Sequence, residues 1–440
     1  MDPAGPAFFV SLGIFLFVLL AIVLRWMHET TAALLGAVLL WLVHYLGGSA
    51  ISSLRIVGFD ESIAAVDWNV IFLILGMMIF MAMFSETGVL RWLAYRVFHL
   101  TRGNVWLLGL ALVLLTGFVS SLLNNVTAML LLVPLSIQIA ETVGVHPFVY
   151  VIPEVMAANI GGAATLIGDP PSTIVGSHLG LGFWGYAIRA APVVLVLLGV
   201  LVGLSLLLYR RELAAARKRA SPVLLQELEA RSRITDAPLL RKAGLVGLVT
   251  LLLFFVAERF ELPPSVVAMT GAVWLIVWVR PDMRRMLQEV DWTTLFFFIG
   301  IFVLVAGLEE AGVVARMAGA LGRWAGNSLP KATALMIWAS GLFSGVVDNI
   351  PITVAVLPIA GQLSQTIPAA QGNPVLYWAL IFGADLGGNL TYVGSAANIV
   401  AVGLLAQAGY RITFGRFLRD GAVVTVATLT VVTFWLLVLW

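Results

Sequence analysis

The sequence predicts an all-α polytopic membrane protein built from two inverted-topology repeats. Of its 440 residues, 61% are hydrophobic and 11% are charged, which leaves too little polar surface to cover a soluble domain of this size. Apolar runs long enough to cross a bilayer recur along the whole chain. Motifs containing Gly, Pro and Asn occur twice at a nearly constant distance, a pattern typical of secondary transporters with internal repeats.

Two shifts relate the halves of the chain. A shift of 224 positions aligns Val66-Asp67-Trp68 with Val290-Asp291-Trp292. The same shift aligns Gly76 with Gly300, residues 86–89 with 310–313, Asn125 with Asn349 and Pro134 with Pro358. A shift of 226 then aligns the Gly-rich segments 161–168 and 387–394.

Five crossings are predicted in each half from the apolar runs. Those of the first half lie near residues 8–24, 31–46, 69–84, 149–178 and 187–209. Those of the second half lie near residues 241–257, 264–280, 292–308, 375–406 and 420–439. The fourth crossing of each half contains Gly-rich sequence at its middle, so we expect 149–178 and 375–406 to be broken helices.

Residues 105–140 and 330–366 fit no single crossing. Each is about 36 residues long, which is too long for one helix across a ~30 Å hydrocarbon core and tight for two. Because each has a polar interruption at its middle, we predict re-entrant helical hairpins, with two tight full crossings as the alternative. The predicted organisation is a first repeat over 1–209, a connector over 210–242 and a second repeat over 243–440.

The charge distribution predicts the orientation. The connector 210–242 holds nine of the 25 basic residues, so the positive-inside tendency makes it cytoplasmic and places both termini outside. This topology puts 19 basic residues inside and six outside. The N-terminus lacks a basic segment, so the first apolar run is expected to be a retained crossing in the inner (plasma) membrane.

Composition also excludes several kinds of site. The chain has no cysteine, which excludes thiolate metal sites and cysteine nucleophiles. Its five histidines are scattered without metal-ligand spacing, so no metal, cofactor or nucleic-acid partner is predicted. No His/Asp or Ser/His arrangement falls at membrane depth, which argues against a membrane-embedded enzyme. An ion channel is an alternative that the paired hairpins disfavour.

The hairpin tips are the first candidate binding groups. The candidates at the tips are Asn124, Asn125 and Thr127 in the first half and Asp348, Asn349 and Thr353 in the second. Asn and Asp are good helix N-caps, and capping alone would explain them. Two half-helix N-termini that meet from opposite sides would also bring positive dipole ends and amide donors to a bound solute.

The breaks supply the second set of candidates, which are Thr165, Asn389, Thr391 and Ser395. Backbone carbonyls freed by the adjacent glycines could join these side chains in binding a cation or a polar solute. A kink caused only by helix packing is the alternative, but its repetition in both halves argues against it. The repeated Asp67-Trp68 and Asp291-Trp292 pairs stand at crossing starts and indicate interfacial anchors.

Carboxylates inside apolar stretches form the third set. Asp169, Asp348 and Asp385 fall at the breaks and tips, and Glu154 lies nearby. A carboxylate at such depth is expensive and marks a functional site, so all three aspartates are proton-carrier candidates. The alternative is a permanently ionised N-cap for Asp169 and Asp348, and Asp385 is the favoured proton carrier.

These tips and breaks resemble the ion transporter superfamily, and the resemblance covers nearly the whole chain. The segments that carry it are 121–129 with Pro134, 159–171, 348–351, 383–389 and 394–398. Residues 159–171 look much like the group that includes the melanosomal P protein, while 348–351 and 383–387 are similar to bacterial arsenite permeases. The tips of divalent-anion/sodium symporters carry Ser-Asn-Thr, whereas this chain has Asn124-Asn125-Val126 and Asp348-Asn349-Ile350.

The resemblance implies a secondary transporter with an elevator-like motion and a homodimeric assembly. The Ser and Thr hydroxyls that would ligate sodium at the tips of the symporters are missing from this chain. Arsenite or antimonite efflux in exchange for protons is therefore the favoured function. Alternatives are a sodium/proton antiporter and a sodium-coupled anion (dicarboxylate-type) symporter. The implied partners are the solute, protons or sodium, the lipid bilayer and, as in some arsenite systems, a cytoplasmic ATPase subunit on the connector.

Overall fold

The computed structural model describes residues 5–102, 104–216, 233–326 and 328–439. Part of the predicted connector 210–242, including Arg217, Lys218 and Arg219, lies outside the described residues. Within the described residues every regular element is a helix, which confirms the all-α prediction.

The main helices α1 to α9 of the first half are, in order, Pro6–Val23, Glu29–Leu42, Trp68–Glu86, Val89–Leu100, Val105–Leu122, Asn125–Val143, Phe148–Gly162, Pro170–His178 and Phe183–Leu208. Those of the second half, α10 to α18, are Ala237–Ala257, Pro264–Val279, Trp292–Glu310, Val313–Ala325, Leu329–Val347, Asn349–Thr366, Val375–Gly387, Ala396–Gln407 and Phe414–Leu439. Shorter helical segments lie at Val43–Gly47, Gly48–Ala50, Ser52–Leu54, Phe59–Ala64, Arg210–Ala214, Glu258–Phe260, Met283–Gln288 and Pro368–Ala370. Each main helix of the first half therefore has a counterpart nine places later.

Length separates the crossings from the other helices. Among the described residues, nine helices are long and apolar enough to cross a membrane, and α5 and α6 of the first hairpin are among them. Two pairs of shorter helices form the broken crossings: α7 with α8, and α16 with α17. The interruptions lie at 163–169 and 388–395, where the sequence predicted them. Helix α11 has 16 residues and would span about 24 Å, somewhat less than the hydrocarbon core.

The repeated Val-Asp-Trp motif marks the start of a crossing in each half. Asp67 caps α3 by accepting hydrogen bonds from the amides of Asn69 and Val70 at 3.0 and 3.2 Å. Asp291 caps α12 by accepting from the Thr294 amide at 3.1 Å. The aspartates satisfy amides that the helix itself leaves free. Each following Trp is about two-fifths exposed, in agreement with an interfacial position.

A second repeated motif, a glycine at a turn, precedes each of two amphipathic helices that the sequence analysis did not predict. Gly88 and Gly312 have φ of +74° and +73°, a conformation that favours glycine, and each directly precedes a short helix, α4 or α13. In α4 the buried residues Leu90, Ala94 and Phe98 recur every fourth position. This one-sided burial fits a helix that lies along the membrane surface and links a crossing to a hairpin.

The crossings of the two halves pack against one another. Helix α3 contacts α11, and α12 contacts α2, so each pair joins one helix from each repeat. A Cβ atom on Gly76 would come within 2.9 Å of the Ala268 backbone, and one on Gly300 within 2.8 Å of the Ala33 backbone. These pairs form a scaffold whose helices approach closely because both halves supply glycine at the same place.

Glycine pairs also hold each hairpin against its broken helix. Helix α5 packs on α7, and α14 packs on α16. A Cβ on Gly161 would lie 2.1 Å from the Gly117 carbonyl oxygen, and one on Gly387 would lie 2.2 Å from that of Gly341. Helix α6 also contacts α17, and α8 contacts α15, so each hairpin touches the broken helix of the other half. The hairpins and broken helices therefore form one packed unit.

We expect Gly387→Ala to destabilise this unit, because the added methyl group would collide with the Gly341 backbone, which cannot turn away as a side chain could. Overpacking of this kind costs about 1–3 kcal/mol, and a backbone collision is at the upper end. The measurement is the thermal midpoint of purified protein in detergent. Gly403→Ala in α17 is the matched control, since nothing lies within 4 Å of its Cβ position. Equal midpoints for both variants would contradict the packing account.

Candidate functional site

The two hairpin tips meet at one carboxylate. Asp169 stands at the end of the first break, immediately before α8. Its Oδ2 accepts hydrogen bonds from the Nδ2 groups of Asn125 at 2.8 Å and Asn349 at 3.1 Å. Asn125 begins the second helix of the first hairpin and Asn349 that of the second. All three side chains are buried. Each hairpin tip therefore lies beside the interruption of a broken helix, an arrangement that agrees with the predicted re-entrant hairpins.

A second carboxylate, Asp385, lies beside the first. Its Oδ1 accepts from Asn349 Nδ2 at 3.4 Å, and its Oδ2 accepts from Ser172 Oγ at 3.5 Å. The hydroxyl of Tyr186 in turn donates to Ser172 Oγ at 2.8 Å. Asn349 Nδ2 therefore contacts the carboxyl groups of both Asp169 and Asp385. The site thus contains a carboxyl pair with one member from each half.

Asn159 forms the other side of this network. Its Nδ2 donates to the side-chain oxygens of Asn389 at 2.9 Å and Asn398 at 3.0 Å. Its Oδ1 accepts from Ser395 Oγ at 3.0 Å. Asn389 is fully buried, and its own Nδ2 has no hydrogen-bond partner within the described chain.

The shift of 226 residues relates the two sides of the site. It aligns Asn159 with Asp385, Asp169 with Ser395, and Ser172 with Asn398. The contact between Asn125 and Asn159 at 3.4 Å corresponds to the contact between Asn349 and Asp385 at 3.4 Å. The pseudo-two-fold arrangement therefore holds for the side chains, although the two carboxylates occupy non-equivalent places.

Sequence reasoning missed several members of this network. They are Ser120, Asn159, Ser172, Tyr186 and Asn398. The shifts could have identified two of them, because Asn159 aligns with the predicted Asp385 at 226 and Ser120 aligns with Ser344 at 224. Tyr186 carries no comparable signal, since the shift of 226 aligns it with Ile412.

Asp348 occupies a different position from the carboxyl pair. Its Oδ1 accepts from the Ile350 amide at 3.1 Å, so Asp348 caps the N-terminus of α15. A negative charge at this place is stabilised by the helix dipole. In the first half Asn124 stands at the equivalent place and caps α6 by accepting from the Val126 amide. An uncharged cap is sufficient there.

The predicted threonine hydroxyls are engaged with the backbone. Thr165 donates to the Ser121 carbonyl, and the aligned Thr391 donates to the Gly345 carbonyl at 2.7 Å. Both bonds join a break to the end of the first helix of its own hairpin. Thr353 donates within its helix to the Asn349 carbonyl at 2.7 Å.

A cavity of about 370 Å³ reaches the site from one side. Asn124, Thr127 and Asp169 line its inner end. Glu289 and Asp291 line it near the start of α12. The described lining contains three acidic residues and no Lys or Arg. Asp169 is therefore the member of the carboxyl pair that a solute in the cavity would meet, whereas the other site residues lie behind it.

Comparison with known proteins agrees with this architecture. The human P protein is 31% identical to the chain over 501 aligned positions, which cover 95% of this chain and 58% of that protein. An uncharacterized transporter of Mycobacterium tuberculosis is 38% identical over 380 residues, covering 85% of this chain and 88% of the relative. A 46 kDa membrane protein of Mycobacterium leprae is 35% identical over 402 residues, covering 91% and 92%.

The fold also matches a solved structure. The YdaH transporter of Alcanivorax borkumensis, whose structure is described as having an unusual topology, superposes with a TM-score of 0.58 over 98% of both chains, at 15% identity. Residues 19–383 match the family described as citrate transporters (CitMHS). The superfamily resemblance of the sequence is thereby confirmed, and the chain belongs to the CitMHS citrate transporter family of secondary transporters.

Proposed function

We propose that this transporter exchanges protons for a small solute that carries no negative charge at the site, with arsenite or antimonite as the favoured solute. The observation that carries the proposal is the carboxyl pair, Asp169 and Asp385. Both hairpin tips donate to Asp169, the second tip also donates to Asp385, and Asp169 lines a cavity.

Proton coupling follows from the amide donor that the two carboxyl groups share. Ionisation of both is disfavoured when two buried carboxyl groups share one amide donor and no cation lies between them. The amides of Asn125 and Asn349 stabilise negative charge on Asp169 but supply no positive charge. One proton shared by the pair therefore fits the empty site, and a bound solute would change how tightly that proton is held.

The polarity of the cavity restricts the solute. Its inner end offers a carboxylate, the amide of Asn124 and the hydroxyl of Thr127. An uncharged polyhydroxyl such as arsenous acid needs only such donors and acceptors. A free polyanion would meet three acidic side chains and no basic one in the described lining, which Coulomb repulsion disfavours.

Two alternative solutes have specific support. The carboxyl pair would also suit sodium in exchange for protons, since carboxylates and carbonyls are good ligands for a hard cation. The family description favours citrate. At this site citrate would need to arrive with a cation that neutralises it, because the described lining contains no basic side chain to do so.

The orientation is part of the proposal. The cavity is lined by Ser85, Glu289 and Asp291, and a neighbouring pocket joins Glu289 to Asp236 and Lys242 at the end of the connector. If the basic connector is cytoplasmic, both termini are outside and the site is open to the cytoplasm. The basic connector and the apolar crossings are also the reason for placing the protein in the inner membrane. A homodimer and an ATPase subunit bound to the connector remain proposals from the resemblance.

An elevator-like motion has support at the first hairpin tip. An apolar cavity of about 330 Å³ separates Leu122, Leu123 and Ile167 from the scaffold helices α3, α10 and α11. The tip is therefore loosely packed on its scaffold side, whereas glycine contacts bind it to α7. The unit of hairpins and broken helices could slide along the scaffold with little loss of contact.

The proposal predicts saturable accumulation of arsenite in inside-out proteoliposomes whose lumen is acidic, with sodium absent. Protons leaving the lumen would drive arsenite inward, which corresponds to efflux from a cell. Sodium, citrate and citrate with a divalent cation form the comparison panel. Accumulation of another panel member, and not of arsenite, would reject the favoured solute and identify an alternative.

Single substitutions at Asp169 and Asp385 distinguish the roles of the two carboxyl groups. We expect Asp385→Asn to abolish pH-driven accumulation but retain solute binding, because the cavity reaches Asp169 and not Asp385. Asp169→Asn should weaken both. The measurements are uptake in proteoliposomes and solute binding to purified protein. Retained proton coupling in both variants would show that the pair does not carry the proton.

The capping role of Asp348 predicts a different response. Asp348→Asn keeps an oxygen acceptor and should preserve transport and folding, as Asn124 does in the other half. Asp348→Ala should lower the free energy of unfolding by about 1–2 kcal/mol, the usual loss for an N-cap. The thermal midpoint in detergent and uptake in proteoliposomes measure both effects. If Asp348→Asn abolished proton-driven uptake while remaining folded, Asp348 would be a proton carrier.

A further inference from the structure

A buried carboxyl group outside the pair has no role in the site described above. Glu154 lies in α7, five residues before Asn159, and its side chain is fully buried. The aligned residue of the second half is Leu380, so Glu154 has no equivalent across the pseudo-two-fold axis. A packing role alone would not require a carboxyl group here, since leucine meets the same demand in the other repeat.

The surroundings of Glu154 supply hydroxyl groups and no counter-charge. Its Oε2 accepts from Ser136 Oγ of α6 at 2.8 Å. Thr116 of α5 lies beside the same carboxyl group. Both Glu154 Oε1 and Thr116 Oγ1 are buried without a hydrogen-bond partner in the described chain. Thr116 Oγ1 already carries a proton to donate, whereas Glu154 can donate a hydrogen bond only when its carboxyl group is protonated.

The charged and titratable groups around Glu154 are few. On its own helix, Tyr150 lies one turn earlier, and its hydroxyl donates to the Val105 carbonyl at 3.0 Å. Helices α5 and α6 present Thr116 and Ser136, and α16 contributes Asp385, which belongs to the pair. No described basic side chain reaches the carboxyl group from these helices or from α9 and α17. An ionised Glu154 would therefore stand uncompensated in the membrane interior.

Polar groups connect Glu154 to the carboxyl pair. Thr116 and Ser120 are fully buried and stand one turn apart on α5, so they share a face of that helix. Ser120 Oγ donates to Asn125 Oδ1, and Asn125 Nδ2 donates to Asp169 Oδ2 at 2.8 Å. Hydrogen bonds therefore run from Ser120 through Asn125 to Asp169. Thr116, which has no hydrogen-bond partner in the described chain, stands between this series and Glu154.

We propose that Glu154 is a second proton-binding site, which takes up and releases a proton at the end of a polar chain leading to Asp169. The reaction is protonation of the carboxylate and its reversal, with no other reactant. The connection between Glu154 and transport rests on the proposed proton exchange. Proton binding by Glu154 does not depend on that exchange, so either claim can fail while the other holds.

Infrared difference spectroscopy between two pH values, on purified protein in lipid, tests the binding claim directly. The carbonyl stretch of a neutral carboxyl group is expected to gain or lose intensity with pH in the unmodified protein. Glu154→Gln should remove one such band, whereas Asp385→Asn should leave that band in place. An identical difference spectrum for Glu154→Gln, or a Glu154 band that does not change with pH, would overturn the proposal.

Ser136→Ala provides a second variant that keeps the carboxyl group. Loss of the 2.8 Å hydrogen bond should shift the frequency of the assigned band without removing it. An unshifted band would show that the assignment to Glu154 is wrong. This readout remains decisive if Glu154→Gln does not fold.

Transport then tests the connection to the pair. In proteoliposomes Glu154→Gln should change the pH profile of uptake or the number of protons per solute, and Glu154→Asp should restore it in part. An unchanged profile and ratio in Glu154→Gln would overturn the connection. If the unmodified protein shows no proton-driven uptake of any solute, the proposed function fails, while the infrared result still decides whether Glu154 binds a proton.

Discussion

Four helix ends in each half stop inside the membrane-spanning part of this protein, and their backbone groups must find partners there. Hydrocarbon offers none, so side chains from neighbouring elements supply them. Asp348 accepts from an amide in the first turn of α15, and Thr165 and Thr391 donate to carbonyls at the hairpin tips. Asn398 Nδ2 donates to the carbonyls of Gly388 and Thr391 in the second break. Because each break depends on a hairpin for these bonds, the hairpins and broken helices cannot separate without exposing backbone to lipid.

Duplication built a nearly symmetric frame, and substitutions within it made the site asymmetric. The glycine contacts, the Thr-to-carbonyl bonds and the tip asparagines occur in both halves. The carboxylates do not follow this pattern, because Asp169 aligns with Ser395 and Asp385 aligns with Asn159. Only two side-chain differences therefore place both negative charges on one side of the pseudo-two-fold axis. The cavity shows the same asymmetry, since it reaches Asp169 from a single side.

The crossings, hairpins and breaks could be predicted because they depend on local sequence. Apolar length, Gly-rich interruptions and N-cap residues act within a few positions, and the helices begin and end near the predicted bounds. The partners of individual side chains depend on distances between helices, which the sequence does not contain. Thr165 was predicted as a possible solute ligand, but its hydroxyl faces a carbonyl 44 positions away. The short helices α4 and α13 were missed because Arg91, Arg96, Arg316 and Arg323 interrupt their apolar runs along the sequence. Such residues suit the polar face of a helix lying on the membrane surface.

The charges of the site restrict how its unit can move across the membrane. The charge of Asp348 is stabilised by the N-terminus of α15, which it caps and which would move with it. Asp169 and Asp385 have only amide and hydroxyl partners, so an empty pair without a proton would carry uncompensated charge into a low-dielectric region. In the proposed exchange, movement of the unit without solute would therefore be least costly when the pair holds a proton. A solute bound to Asp169 would compete for the hydrogen bonds that hold this proton, and obligatory exchange would result if only the protonated or the solute-bound unit could cross.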